Sequence, residues 1–385
     1  MKIAIDSWTL ASRFRCQGTY VYTQNLLREF KNIAHNNSGV SFSLFASGRN
    51  GNDAVQILPS ANFELHSSRL LDHDRAWRLG GAGLSAAHSR ANVLFIPTAA
   101  TLPMGPVPAV CTIHDVTPLT MPTHSSKVTA LQHIFFKGCA RFSQAIITSS
   151  ECSKRDIVAF LGVPEEKVTV IYDACDHTIF NSAPADRAAL APLHMRFGIQ
   201  KTYLIHHGTI QPRKNLKRLI EAFRLMLARD RNLDLDLVLA GQLGWASDEI
   251  TSAAATSNGS RGNVIFTGIL ADADLALLIK GASLAVIPSL YEGFSLPMVE
   301  AMACGVPTVA SQTSCLPEIS GNALSYFDPL SVEDMAGCMY SVLLDSQLSQ
   351  QLRERGVARA TEFSWERCAR ETLTVLMQAG GAAAS

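Results

Sequence analysis

Short, almost wholly apolar runs recur along this chain, separated by longer stretches with helical spacing. "KIAID", "VSFSLFA", "NVLFIP", "AVCTIH", "QAIITS" and "KVTVIY" fall in the first half; "TYLIHH", "DLVLAG", "NVIFTG", "SLAVIPS" and "PTVAS" fall in the second. A strand that is apolar at successive positions cannot leave one face in water. It belongs in a parallel sheet covered by helices on both sides. Helical stretches between such strands supply the crossovers, so the pattern predicts an α/β fold. It occurs twice, on either side of the polar, proline-punctuated stretch "DACDHTIFNSAPADRAA". At 385 residues the chain is also long for one hydrophobic core. We expect a first domain over 1–172, a linker region over 173–200 and a second domain over 201–365. Leu373, Leu376 and Met377 suggest an amphipathic terminal helix within 366–385, ending in a frayed "AGGAAAS". Open parallel sheets bind ligands at the carboxyl ends of their strands, so a cleft between the two domains is the expected ligand site.

Composition removes several alternatives. Apolar residues make up 47% of the chain, which argues against disorder. The formal net charge is zero, so no global field draws in nucleic acid. The nine cysteines are scattered and form no CxxC pair, which fits free thiols in a reducing compartment and disfavours structural zinc. The opening "MKIAIDSWTL" does not read as a signal sequence, and no uncharged apolar run reaches 18 residues. The expectation is a cytoplasmic protein, with surface association at a membrane left open.

In the second half, "SLYEGFSLPMVEAMACG" follows a strand. Ser295 or Leu296 can cap the next helix, Pro297 fits its first turn and Gly305 can end it. Glu292 then lies in the loop and Glu300 about one turn into the helix. A carboxylate clamps a vicinal diol by accepting two hydroxyl hydrogens, so one glutamate could hold a ribose and the other a sugar ring. The amides after Gly293 lie near a helix start and could serve a phosphate or a sugar hydroxyl. Glu300 alone reads first as an acid placed near a positive helix end; the Gly293–Pro297–Gly305 frame with Glu292 reverses that preference toward a ligand. In "LIHHGTIQPRKNLKRLIEAF", Leu216, Leu219, Ile220 and Phe223 make the apolar face of a helix that Arg213 and Lys214 precede. Two cations there oppose the helix dipole. A bound dianion would resolve the conflict, and a solvated basic edge is the alternative. Asp234 and Asp236 form an Asp-x-Asp pair at the wrong end of a strand for the cleft, so no metal site is assigned. Gly241 suits close ligand approach.

In the first half, "AVCTIHDVTPL" places His114 at a strand end, where it could donate to a substrate hydroxyl or stabilise departing charge. Gly18 could open an anion loop before a helix, although it is no GxGxxG fingerprint, which counts against a dinucleotide oxidoreductase. "RLGGAGLSAA" reads as a flexible loop. In "ITSSECSKRDI", Ser153 reads as a helix cap.

Together, "GTIQPRKNLKRLIEAF", "PSLYEGFSLPMVEAMACGVPTVAS", "TIHD" and the terminal "FSWERCARETL" resemble retaining glycosyltransferases of family 4 over most of the chain. The resemblance implies GT-B architecture: two Rossmann-like domains facing across a deep cleft, with the terminal helix crossing back toward the first. It implies that Glu300 binds ribose hydroxyls. Glu292 would contact the transferred sugar, with the amides of Gly293, Phe294 and Ser295. Arg213 and Lys214 would neutralise the diphosphate, His114 would touch the donor sugar, and Gly18 would close over phosphate or acceptor. It implies sugar transfer with retention, without a cofactor or catalytic metal. The further pattern of bacterial mannosyltransferases of surface-polysaccharide assembly implies GDP-mannose as donor. The acceptor would be a glycan or lipid-diphosphate-linked saccharide, with possible peripheral association at the cytoplasmic face of the inner membrane. A sugar-nucleotide epimerase and a non-catalytic nucleotide-sugar-binding protein are the alternatives. The chain departs from the pattern in having Thr209 after Gly208, where some relatives carry arginine, and Asp173-Ala174 where asparagine and glycine are frequent.

Overall fold

The computed structural model describes residues 1–10, 18–36, 39–47, 62–68, 74–121, 126–255 and 262–381. The chain divides into two compact units, Met1–Asp173 with Trp365–Ser385, and Ala174–Ser364. Each is a parallel sheet flanked by helices, the Rossmann-like arrangement of GT-B proteins.

The first sheet has seven strands: β1 Lys2–Asp6, β2 Ser41–Ser47, β3 Phe63–Ser68, β4 Val93–Ile96, β5 Ala109–Thr112, β6 Ala145–Thr148 and β7 Val168–Val170. Their order is β3-β2-β1-β4-β5-β6-β7. β1, β4 and β5 are buried almost throughout, as both-sided covering requires. The terminal helix, Trp365–Ala379, packs on the Gly18–Asn36 helix and on β4, β5 and β6, all within this unit. Its inward face carries Trp365, Cys368, Leu373 and Leu376, while Met377 is only half-buried.

The second sheet has six strands: β8 Thr202–His207, β9 Leu235–Ala240, β10 Val264–Gly268, β11 Leu284–Ile287, β12 Thr308–Ser311 and β13 Ser325–Phe327. Their order is β10-β9-β8-β11-β12-β13. The strand order reverses at the β8–β11 pair, and the carboxyl ends of strands at such a switch point are where an open parallel sheet binds its ligands. The helix Leu216–Arg229 lays Leu216, Leu219, Ile220 and Phe223 into the core, as its spacing predicted, and adds Met226 and Leu227 to the same side.

Several local readings need correction. The expected linker region 173–200 is divided: Asp173 ends the first unit, and residues 174–200 belong to the second. The helix Arg187–Phe197 buries Leu190 and Leu193, and His194 stands edge-on to Tyr203 at 5.5 Å. "RLGGAGLSAA" runs through Trp77–Gly81, kinked at Leu79 and Gly80, into the Ala82–His88 helix, rather than forming a flexible loop. A Cβ on Gly83 would lie 1.9 Å from the Met104 carbonyl oxygen, so that glycine is there for backbone contact. Ser150, not Ser153, caps the Glu151–Leu161 helix: its hydroxyl accepts the Ser153 amide at 3.0 Å. The eight described cysteines are free thiols; Cys16 lies outside the described residues. No described helix is long and apolar enough to cross a membrane.

Candidate active site

The crevice side of the second unit is built from two loops. After β8, Gly208 adopts φ +123°, and a short turn, Pro212–Lys214, leads to Asn215 at φ +57°. Asn215 holds that left-handed conformation through its amide, which donates to the Pro329 carbonyl oxygen at 2.7 Å, and its carbonyl, which accepts from Arg218 at 3.0 Å. The loop after β11 brings Ser289 and Glu292 to the same place. Lys214 Nζ and Ser289 Oγ both donate to Glu292 Oε1 at 2.6 Å, and Arg213 donates to Oε2 at 2.6 Å. The Glu292 amide donates in turn to Ser314 Oγ at 3.0 Å. The two cations and the carboxylate, read separately as phosphate ligands and a sugar ligand, thus form one ion triad. Glu292 and Lys214 are buried, and Arg213 nearly so.

Burial alone would raise the Glu292 carboxyl. The charges of Arg213 and Lys214, with the Lys214 and Ser289 hydrogen bonds, outweigh it and hold the group well below the ordinary carboxylate range. Burial and the neighbouring guanidinium pull the Lys214 ammonium down, against the opposing pull of Glu292. The triad carries two positive charges and one negative, and so retains one unit of positive charge beside the crevice.

Next to it, the helix Leu296–Ala303 starts from Ser295, which sits at φ +78° with its buried hydroxyl unpartnered among the described residues. Pro297 occupies the first turn, and Gly305, at φ +68°, follows the helix end. Phe294 is buried edge-on against Phe363 at 5.4 Å, so its side chain serves packing. Glu300 lies one turn inside the helix, and its Oε2 meets His207 Nε2 at 2.9 Å. Pro297 Cγ and Lys214 Nζ flank Gly208, at 3.6 and 3.9 Å from where its Cβ would stand, which links the helix start to the triad.

His114 and Gly18 belong to the first unit. Gly18 is exposed at the start of its helix, and residues 11–17 before it lie outside the described residues. His114 follows β5. Its Nε2 lies 3.2 Å from the Pro97 carbonyl oxygen, its Nδ1 lies 3.8 Å from Asp173 Oδ2, and Tyr22 stands edge-on at 4.6 Å. Burial lowers its pKa, but Asp173 and, less strongly, Asp115 and the Pro97 carbonyl prevail and set it above the ordinary histidine value. Asp173, one of the departures from the family pattern, is therefore the counter-charge of this histidine.

Comparison with known proteins fits this geometry. Residues 17–179 match Glycosyltransferase Family 4, and residues 196–359 match Glycosyl transferases group 1. O-antigen chain mannosyltransferase B of Escherichia coli is 31% identical over 269 residues, 69% of each chain. The chain belongs to the group 1/family 4 glycosyltransferases. Serotype-specific mannosyltransferase WbdA of Escherichia coli is 30% identical over 288 residues, 72% of this glycosyltransferase but only 35% of WbdA. HepE of Anabaena, solved in complex with UDP and glucose, shares the fold with a TM-score of 0.74 at 18% identity, covering 98% of this chain and all of that one.

Two features of the glycosyltransferase escaped the sequence reading. His207 was read only as part of a buried strand, yet it is the partner of Glu300. Gly241, read as a point of ligand approach, is packed instead on the backbone of Gly208: a Cβ there would stand 2.0 Å from the Gly208 carbonyl oxygen. Asp234 and Asp236 diverge. Asp234 pairs with Lys201 at 2.7 Å, and Asp236 accepts the amide and side chain of Asn263 at 2.9 and 3.1 Å. Among the described residues no cluster of three histidine, cysteine or acidic groups stands ready for a metal ion.

Proposed function

We propose that this glycosyltransferase moves mannose from GDP-mannose, with retention of anomeric configuration, to a hydroxyl of a glycan or lipid-diphosphate-linked saccharide. The ion triad carries the reading. Arg213 and Lys214 stand at the topological switch point of the second sheet, where a dianionic ligand belongs, and Glu292 fixes both in place before a ligand arrives. In this reading they take the donor diphosphate and stabilise the charge that grows on it as the glycosidic bond breaks. Glu300 takes the ribose diol and the amides of Gly293 to Ser295 take sugar or phosphate oxygens; of the first unit's residues, His114 is assigned to the donor sugar and Gly18, at its helix start, to phosphate or acceptor.

Glu292 keeps a sugar-facing role only through the cations. Both of its oxygens are occupied by Lys214, Ser289 and Arg213, which makes it a poor nucleophile and favours front-face substitution. There the acceptor hydroxyl attacks as the diphosphate leaves, and a diphosphate oxygen takes the proton. The step needs no metal. Mannose is favoured by the mannosyltransferase relatives.

Peripheral membrane association is part of the proposal. Leu131, Ile134, Lys137 and Arg141 recur along one exposed face of the Ser126–Phe142 helix, with Phe142 beside them. Lys137 and Arg141 put positive charge on that exposed apolar face, which suits an anionic bilayer.

The test is a donor panel containing GDP-mannose, UDP-glucose and other nucleotide sugars, run with and without lipid-diphosphate-linked saccharides, with the product's anomeric configuration read by NMR. Transfer of α-mannose from GDP-mannose is expected. Preference for a uridine donor overturns the donor, and an inverted product overturns the mechanism.

A further inference from the structure

β8 ends on two adjacent histidines whose side chains alternate across the sheet. His206 turns to the Val286 carbonyl oxygen at 2.9 Å, an internal contact. His207 turns to the Leu296–Ala303 helix, where its Nε2 meets Glu300 Oε2 at 2.9 Å. The His207 side chain is 2% exposed and that of Glu300 15%. The imidazole is therefore fixed by packing, while the carboxylate reaches the surface. The Nδ1 of His207 is buried without a partner among the described residues. The hydrogen bond to Glu300 thus places the ring proton on Nε2. The other oxygen of Glu300, Oε1, has no protein donor among the described residues.

We propose that His207 is a positioning residue for nucleotide recognition, locking Glu300 through Oε2 so that Oε1 is presented to the ribose diol. A glutamate on a helix surface samples many rotamers, and ordering it on binding costs entropy. A donor anchored in the strand removes that freedom beforehand, as outer partners do for ligating groups elsewhere. The adjacent Gly208 lies against both Pro297 and Lys214, so the strand end that orients the ribose carboxylate also borders the cations. The inference rests on Glu300 as the ribose clamp.

The test separates the two claims. Calorimetry would measure GDP and 2′,3′-dideoxy-GDP, with UDP and its dideoxy form as a second pair, on the native chain and on Glu300→Gln, His207→Phe, His207→Asn and His207→Gln. His207→Phe should weaken the ribose-bearing nucleotide roughly 10-fold and leave the dideoxy form within about 2-fold. His207→Gln, whose amide can still reach the carboxylate, should recover most of the loss; His207→Asn, which falls short, should not. If His207→Phe fails to fold, the Asn and Gln pair carries the comparison, with dideoxy binding as the control for an intact site. Equal losses for both nucleotides, or none, while Glu300→Gln abolishes ribose dependence, overturns the role of His207 alone. Ribose dependence that survives Glu300→Gln overturns the clamp itself and the inference with it.

Discussion

Replacing Glu292 with glutamine keeps the shape of the side chain and removes its charge. In the native site this carboxylate accepts from Lys214, Ser289 and Arg213, and the Lys214 side chain is only 7% exposed. The amide would offer one weaker acceptor and turn its own N–H groups toward a cation. Removing one partner of a buried ion pair costs about 3–5 kcal/mol, because the remaining charge is left uncompensated. For a unit of this size that corresponds to a melting temperature lowered by roughly 6–20 °C. A nucleoside diphosphate would supply the missing negative charge. Its stabilising effect on Glu292→Gln should therefore exceed its effect on the native chain by about 1–3 kcal/mol, the scale of a charged hydrogen bond. Urea and thermal unfolding with and without GDP or inorganic pyrophosphate, followed by circular dichroism, measures both quantities. A loss below about 1 kcal/mol without ligand would refute the triad as a stabilising unit. A ligand effect no larger than the native one would refute the exchange of Glu292 for phosphate as counter-charge. The folded carboxyl is depressed, so its contribution is complete above the unfolded carboxylate range and is lost as pH falls through the folded value. Glu292→Gln should flatten that acid limb.

Gly241→Ala would place its Cβ against the Gly208 carbonyl oxygen at φ +145°, and should cost more than ~3 kcal/mol or abolish soluble expression; a near-native urea midpoint would contradict the backbone contact. Because the His114 pKa is raised, its charged form stabilises the first unit below about pH 6.5, and that stabilisation is lost as pH rises through the folded value. Asp173→Asn should lower the His114 pKa, read by NMR titration, and an unchanged titration would dissociate the pair. His114→Ala should slow single-turnover transfer by ~100-fold or more while nucleotide affinity stays close to native, and parallel losses would remove it from the chemistry. Transfer should persist after chelation and extensive dialysis, and loss restored only by a divalent ion would overturn the metal-free step. Ile134→Glu with Leu131→Glu should abolish sedimentation with anionic vesicles; undiminished binding would move the membrane face elsewhere.

The alternation of apolar runs and helical spacing exposed both sheets because parallel strands must be apolar on two faces. It failed where that condition relaxes. β3, "FELHSS", is an edge strand with polar positions, and β13 is only three residues long. The glycines of "RLGGAGLSAA" suggested a loop on local propensity, whereas Gly83 is required by the approach of the Met104 backbone, a contact made 21 residues away. The site showed the same division. Motif spacing identified Arg213, Lys214, Glu292 and Glu300 as unusual, but spacing within a segment cannot state which loops meet. The missing information is strand order. With β8 beside β11, the loops after these two strands become neighbours, and Glu292 falls on Lys214 and Arg213 across 78 and 79 residues of sequence. His207 escaped for a different reason: a histidine in an apolar run is usually a satisfied core residue, and nothing within its own segment identifies Glu300 as its partner.

Strand order also explains why two glutamates eight residues apart do unlike work. Glu292 leaves the sheet in a loop, where it meets the cations carried by the neighbouring strand's loop, and its charge is consumed internally. Glu300 lies one turn inside the following helix, where its Oε2 meets His207 Nε2. The first carboxylate fixes positive charge in position; the second has one oxygen on His207 and the other without a protein donor among the described residues. A nucleotide sugar presents both complements, an anionic diphosphate and a diol that donates hydrogen bonds, separated along one molecule. Cations already held by Glu292 need little reorganisation as negative charge grows on a leaving diphosphate, and that preorganisation is the source of electrostatic rate enhancement. The exchange has a cost, since Glu292 screens the very charges it positions. The surplus of one positive charge in the triad is what remains for the ligand, so substitutions that alter Glu292 should change affinity and rate in opposite directions: tighter diphosphate binding once the competing carboxylate is gone, and slower transfer once Arg213 and Lys214 are free to move.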